Sequence, residues 1–266
     1  MKASTILRIV SAGLQDLEPD VAKRWAWTAG VGTGGVDTSI GLLDYLNSAL
    51  RAVAMQRPDC FSVTEMIQLE AGMRQTLPKK TTHSATYDAI GFCELTRNIK
   101  KQARRDADGN VVKDENNKTV YDYIYGRAIL LSPQSAIMAW LDPDNPNNPN
   151  PHWDTSIDNY AYDRASNPNV YWVYPPPLTK RLYVEATYYA MPPEITAATQ
   201  EIGISDGYAQ AIAHHMLASV MDADSETSGS AKARYHMELF FNLMDIKLQV
   251  DARLPRAFNT LSSKIK

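Results

Sequence analysis

The chain has 266 residues, 44% of them hydrophobic and 21% charged, with a net charge of −3 and two cysteines. A chain of this size buries roughly three quarters of its unfolded surface, so it can build a core without metal or disulfides. The near-neutral balance excludes a general attraction to nucleic acid or anionic lipid, and no stretch reaches the ~20 continuous apolar residues of a membrane span.

Ile6, Leu7, Val10, Leu14 and Leu17 recur at steps of three and four, which predicts an amphipathic helix from Ser4 to Leu17 with Ser4 as N-cap. Charges inside this window set it apart from the solid apolar block of a secretory signal. A loop bearing Trp25 and Trp27 follows, then the breaker run Ala29–Gly35. Asp37 is the expected cap of a second helix to Met55, with Val36, Ile40, Leu43, Leu46, Leu50 and Val53 along one face. It ends at Arg57-Pro58, because proline disfavours helical geometry in the residue before it.

From Phe61 to Tyr189 the helical period fades and strand-like runs take over: Val63–Leu69, Ala89–Thr96, Val120–Ile129, Val170–Tyr174 and Leu182–Tyr189. The last alternates, with Leu182, Val184, Ala186 and Tyr188 on one face. Tyr171–Tyr174 reads as core and edge packing in a strand that stops because three prolines cannot continue a ladder. Gly72 marks a bulge or close backbone approach, and Arg127 a buried or interface ion pair. Lys100–Lys118 is highly charged and centred on Asp108-Gly109, a tight-turn dipeptide, and is expected to form a long protruding hairpin or arm. One short helix, Pro133–Leu141 capped by Ser132, interrupts the region, and Asp142–Pro151 is loop.

Helical spacing returns with Asp206–Met221, capped by Ser205 and burying Tyr208, Ile212, His215, Met216 and Val220. After a polar break the last helix, Ala231–Val250, carries Tyr235, Leu239, Leu243, Ile246 and Val250 at near-heptad spacing. The basic tail Arg256–Lys266 shows little periodicity. The expected fold class is α+β: a helical bundle from the N- and C-terminal helices with an inserted antiparallel β-sandwich-like domain. The boundaries are residues 1–57 for the first helices, 58–200 for the β-rich part with its arm, 201–251 for the last helices, and 252–266 for the extended tail.

The chemical motifs carry no catalysis. His214 and His215 are adjacent on a helix and point about a hundred degrees apart, so they cannot share a metal; they read as a satisfied core histidine beside an exposed one. Arg104–Glu115 places Asp106, Asp108 and Glu115 on three ligand positions of a calcium loop, but Arg104 stands at the first and no helices flank it. Gly30–Gly35 lacks the strand before and the lysine after that a phosphate loop requires. No GxSxG occurs, and no acidic pair stands out. Cys60 and Cys93 lack paired spacing and read as reduced, half-buried thiols, although a disulfide between them stays open. No cofactor or metal is expected.

An ordered series of phrases does carry a resemblance: Arg57-Pro58-Asp59; Leu69-Glu70-Ala71-Gly72 with Arg74-Gln75-Thr76-Leu77-Pro78; Gly126-Arg127-Ala128-Ile129; Trp153; Tyr171 to Pro176; Ala190-Met191-Pro192-Pro193; and Ser205 to Ala211. Over residues 4–250 this series resembles a family of phage head-to-tail connector (adaptor) proteins, similar to the tail tubular or adaptor proteins of short-tailed phages. The resemblance implies a non-enzymatic ring homo-oligomer, a dodecamer, docked beneath the portal protein and joined to a tail nozzle or tail tube protein. Genomic DNA would pass through its channel without sequence-specific binding, and the protein would be made in the host cytoplasm and reside at the head–tail junction of the virion. Lys100, Lys101, Arg104, Arg105 and Lys113 on the arm are then the candidate intersubunit contacts. Arg253, Arg256, Phe258, Lys264 and Lys266 in the tail are the candidate portal contacts. Two other readings compete. A β-sandwich binding module for protein or carbohydrate in a tail structure would expose tyrosine or tryptophan on one sheet face, and a small hydrolase would need a pocket with two hydrogen-bonded titratable groups.

Overall fold

The computed structural model describes residues 1–15, 27, 41–79, 87–139, 156–163, 167–223 and 230–253. Helices and antiparallel sheets make the fold α+β. The chain divides into two compact units, Met1–Cys60 with Pro192–Lys266, and Phe61–Met191.

The first unit is helical. α1 (Ala3–Gly13) buries Ala3, Ile6, Leu7, Val10 and Ser11, the stripe that spacing identifies. Ser4 is not its cap: the N-cap is Lys2, and the amides of Ala3 and Ser4 donate instead to the carbonyls of Gln200 and Ala198. Tertiary acceptors thus satisfy the orphan N–H groups that a side-chain cap would serve. The helix also stops short of the expected end, with Gln15 at φ 57. Leu17 lies outside the described residues. α2 (Leu42–Gln56) starts after Gly41, whose amide donates to the Asp44 carboxylate at 2.9 Å. Asp37, the expected cap, falls outside the described residues together with Val36 and Ile40; Leu43, Leu46, Leu50 and Val53 are buried as spaced. Asn47, also buried, clasps the backbone of Ile195 from both sides, donating to its carbonyl and accepting from its amide.

Ser205 accepts from the Gly207 amide and caps a single 3₁₀ turn, after which α4 (Ala209–Ala223) runs on. It packs on α1, α2 and α5 (Ser230–Arg253). On α5 the near-heptad line is not the line that enters the core. Ala233, Phe240 and Met244 are buried, whereas Tyr235 and Ile246 are 58% and 57% exposed. The helix is apolar along two lines, and spacing alone cannot say which one this chain covers.

The second unit holds β1 (Ser62–Gln68), β2 (Arg74–Thr76), β3 (Ala89–Ala103), β4 (Tyr121–Ala128), β5 (Leu130–Leu131), α3 (Gln134–Ala139), β6 (Asn159–Tyr162), β7 (Val170–Tyr174) and β8 (Tyr183–Ala190). They form two four-stranded sheets, ordered β1-β8-β3-β4 and β2-β7-β6-β5. Every ladder is antiparallel except the short β5–β6 pair. The two sheets share one core, where Phe92 stacks on Tyr171 at 4.5 Å and meets Tyr160 and Tyr162 edge-on. Burial pushes the Tyr160 phenol up to about 12, with the Glu94 carboxylate adding to it.

Sequence spacing locates the five longer strands and misses β2, β5 and β6, which are too short to show an alternation. Ser132 does not cap α3 but donates its hydroxyl to Asn159. Gly72 is a left-handed turn residue, φ +100, with open space where a Cβ would stand, so it marks no close approach. Arg127 is paired with Asp158, but both side chains are exposed and the pair is not buried. Cys60 and Cys93 are half-buried and form no disulfide.

Candidate functional site

The ladder between β3 and β8 ends at Ile99↔Tyr183, but β3 goes on pairing with β4 to Ala103↔Tyr121. The last residues of β3 and the first of β4 therefore leave the sheet as a two-stranded ribbon. Its base is fixed by Asn98, whose buried amide donates to the carbonyls of Arg127 and Ile157 and accepts from the Ile157 amide. A β-bulge lies at the same place, between Arg97 and Ile99, and such bulges bend and twist the strand that carries them.

Beyond the ribbon the chain makes two turns, not the single hairpin centred on Asp108-Gly109. In the first, the Asp106 carboxylate accepts from the amides of Asp108 and Asn110, and Gly109 sits at φ +84. In the second, Asp114 accepts from Asn116 and Lys118, and Asn117 sits at φ 60. The chain repeats at a spacing of eight: Arg105, Asp106, Asp108 and Gly109 answer to Lys113, Asp114, Asn116 and Asn117. Three backbone bonds close the tip into a ring, Val112 N–H to Arg104 O, Val120 N–H to Val112 O and Arg104 N–H to Val120 O, each 2.9 Å. The repeat is the signal that reading one turn dipeptide misses. Of the three carboxylates that the calcium spacing names, Asp106 is the one that accepts from backbone amides. Among the described residues no group of three or more His, Cys, Asp or Glu could hold a metal.

The arm's cations fall into two sets. Arg104 donates twice to Asp122, and Arg105 donates to the Gly109 carbonyl, so both brace the tip. Lys100 and Lys113 are exposed. Lys101 stands over the Tyr121 ring at 4.2 Å and the Tyr183 ring at 5.3 Å. Burial draws its pKa down, but the Tyr183 hydroxyl and the Tyr123 and Tyr121 phenols outweigh that and raise it. Arg97, held by Glu185, lies 4.0 Å over the Tyr125 ring, and Tyr123 meets Tyr183 edge-on. Tyr121, Tyr123, Tyr125 and Tyr183 thus form a tyrosine and cation surface on the outer face of the first sheet. None of these tyrosines is among the candidate contact residues that sequence singles out; for Tyr121, Tyr123 and Tyr125 the signal is their alternation in a strand exposed on both faces.

Of the tail candidates, Arg253 is the last residue of α5. Arg256, Phe258, Lys264 and Lys266 lie outside the described residues, as do Gly30–Gly35, Trp25 and Asp142–Pro151. His214 and His236 meet across α4 and α5 with their Nδ1 atoms 2.9 Å apart. His215 packs edge-on against Phe240, and its buried Nδ1 has no hydrogen-bond partner among the described residues. The expected division into one satisfied core histidine and one exposed one does not hold: both are half-buried. No described helix is long and apolar enough to cross a membrane.

A family model described as SU10 adaptor protein matches residues 1–261. No curated protein matches the chain. The chain belongs to the SU10 adaptor protein family, a family of structural phage adaptors and not of enzymes, and is a virion component that interacts with other phage head or tail proteins.

Proposed function

We propose that this adaptor is one subunit of a dodecameric ring docked beneath the portal protein, which joins the head to a tail nozzle or tail tube protein. Genomic DNA would leave the head through its channel, without sequence-specific contacts. The protein is made in the host cytoplasm and ends at the head–tail junction. The observation that carries this reading is apolar surface left uncovered on two ordered elements: Tyr125 and Ile124 on β4, and Tyr235, Phe241 and Ile246 on α5. Extended apolar patches mark protein contacts, and a ring needs two different surfaces on each subunit.

In this reading residues 1–57 and 201–251 form the collar, and 58–200 form the β-rich part. Lys100, Lys101, Arg104, Arg105 and Lys113 bring its arm to a neighbouring subunit. Residues 252–266 reach the portal through Arg253, Arg256, Phe258, Lys264 and Lys266. The mass of the purified chain, measured alone and with the portal protein of the same phage, tests the ring. A monomer that becomes a ring on the portal is expected, and a chain that stays monomeric there rejects the proposal. Unchanged portal binding after deletion of residues 252–266 removes the tail from this role.

A second reading draws on the tyrosines of the outer sheet face, which suit a binding module for protein or carbohydrate in a tail structure. Binding of the chain to glycans of the host surface, lost on Tyr123→Ala, would favour it over the ring.

A further inference from the structure

β4 is an edge strand. β3 pairs with one side of it, and no described strand pairs with the other. Its faces are uncovered too: Tyr121, Tyr123 and Tyr125 stand on one face and Ile124 on the other, all between 43% and 61% exposed. Exposed edges are ordinarily protected by proline, by lysine or by a bulge that turns the edge away. Tyr121–Ala128 has neither proline nor lysine, and its bulge, at Gly126-Arg127, leaves Tyr121–Tyr125 in regular register with β3. Its two charged residues, Asp122 and Arg127, are already paired with Arg104 and Asp158. An ordered strand with free backbone groups and apolar side chains on both faces is built to be covered by another strand.

The chain carries a matching strand of its own. The other edge of the same sheet is β1, which pairs only with β8 among the described strands. All three ladders of this sheet are antiparallel, so β1 and β4 run in opposite directions. β4 of one copy and β1 of the next can therefore meet as an antiparallel pair, eight residues against seven. The outer face of β1 exposes Ser62, Thr64 and Met66. Set against the tyrosines of β4, Thr64 gives an aromatic and β-branched cross-strand contact of the kind that stabilises such ladders, and Met66 adds apolar area beside it. A β4–β4 pair would close after two copies and leave every β1 edge open.

We propose that copies of this chain join edge to edge, β4 of one adding to β1 of the next, so that one antiparallel sheet continues across each subunit boundary. The proposal rests on the ring reading for closure, because a heterologous contact makes a ring only when its rotation closes.

The test uses full-length chain with Cys60→Ser and Cys93→Ser. Met66→Cys, Tyr123→Cys and the double variant are each combined with the portal protein of the same phage and treated with a short bismaleimide. Denaturing electrophoresis reads the links, and native mass reads assembly in the same sample. The double variant should give a covalent ladder up to the ring, and each single variant only monomer. Ile124→Lys added to the double variant should cut the ladder roughly tenfold, equivalent to about 1.4 kcal/mol of association, with circular dichroism unchanged. A ring without a ladder, dimers from Tyr123→Cys alone, or a ladder indifferent to Ile124→Lys each overturns the edge contact and leaves the ring reading standing. No assembly on the portal overturns both.

Discussion

β8 and β4 are each eight residues long and rich in tyrosine, YVEATYYA against YDYIYGRA. In β8 half-buried and buried residues alternate without a break, and Tyr188 is wholly buried; in β4 every residue but Asp122 is exposed. The difference lies in position. β8 is paired on both sides, by β1 and β3, and its inner face rests on the second sheet. β4 is paired on one side and runs partly out along the ribbon. The same residue type serves as core in one strand and as contact surface in the other.

The largest expected effect follows from that contrast. Tyr188→Ala removes a fully buried ring and should cost about 3–5 kcal/mol in urea unfolding. Tyr125→Ala should cost about 0.5–1 kcal/mol, the scale of the single cation–π contact with Arg97. Comparable losses in both variants would mean that β4 is covered within the monomer, and the contrast would collapse. Asn98→Ala comes next. It orphans the carbonyls of Arg127 and Ile157 and the Ile157 amide at the base of the ribbon, and should cost about 1–3 kcal/mol for the buried groups left unpaired. Faster hydrogen exchange in β4 than in β8 would accompany it.

This contrast also marks how far the sequence is legible. Alternation in Leu182–Tyr189 identifies both the strand and its inner face, because that strand is half-covered along its whole length. In α1 and α2 the apolar spacing likewise names the buried residues. Caps are less legible: Ser4 and Asp37 look like N-caps, but Ala198 and Gln200 supply the acceptors for α1, a relation across nearly the whole chain. The end of β3 fails for another reason. The strand expected at Ala89–Thr96 runs on to Ala103, so Lys100 and Lys101, assigned to the protruding hairpin or arm, stand on the strand itself. The cationic candidates stand on the arm, whereas the tyrosine surface beside them shows only once register places β4 at the edge.

Acid should separate the helices from the strands. Burial lowers the pKa of His214, His215 and His236, and for His214 the neighbouring His236 lowers it further. A histidine depressed on folding leaves the unfolded chain binding more protons below its ordinary value near 6.5. Stability is therefore full above that pH and is lost as pH falls through it. All three lie on α4 and α5, so a thermal melt followed by helix signal should shift down between pH 7.5 and 5.5. His236→Gln should flatten the shift. An equal shift in that variant would place the proton uptake elsewhere.

The smallest effect tests whether the tip's two turns are one design used twice. Gly109 and Asn117 occupy corresponding places in the repeat, and both lie in the left-handed region. Asparagine tolerates that region where most side chains do not. Gly109→Asn should therefore change stability by less than about 0.5 kcal/mol and leave tip exchange slow, whereas Gly109→Val, a β-branched residue at positive φ, should cost about 1–2 kcal/mol and speed exchange at Asp106–Val112. The Asp106 carboxylate would still accept from two amides in the asparagine variant, as Asp114 does ahead of Asn117. If asparagine is tolerated at 109 and valine is not, the turn's backbone geometry, more than glycine itself, is what the arm requires beyond the β4 edge.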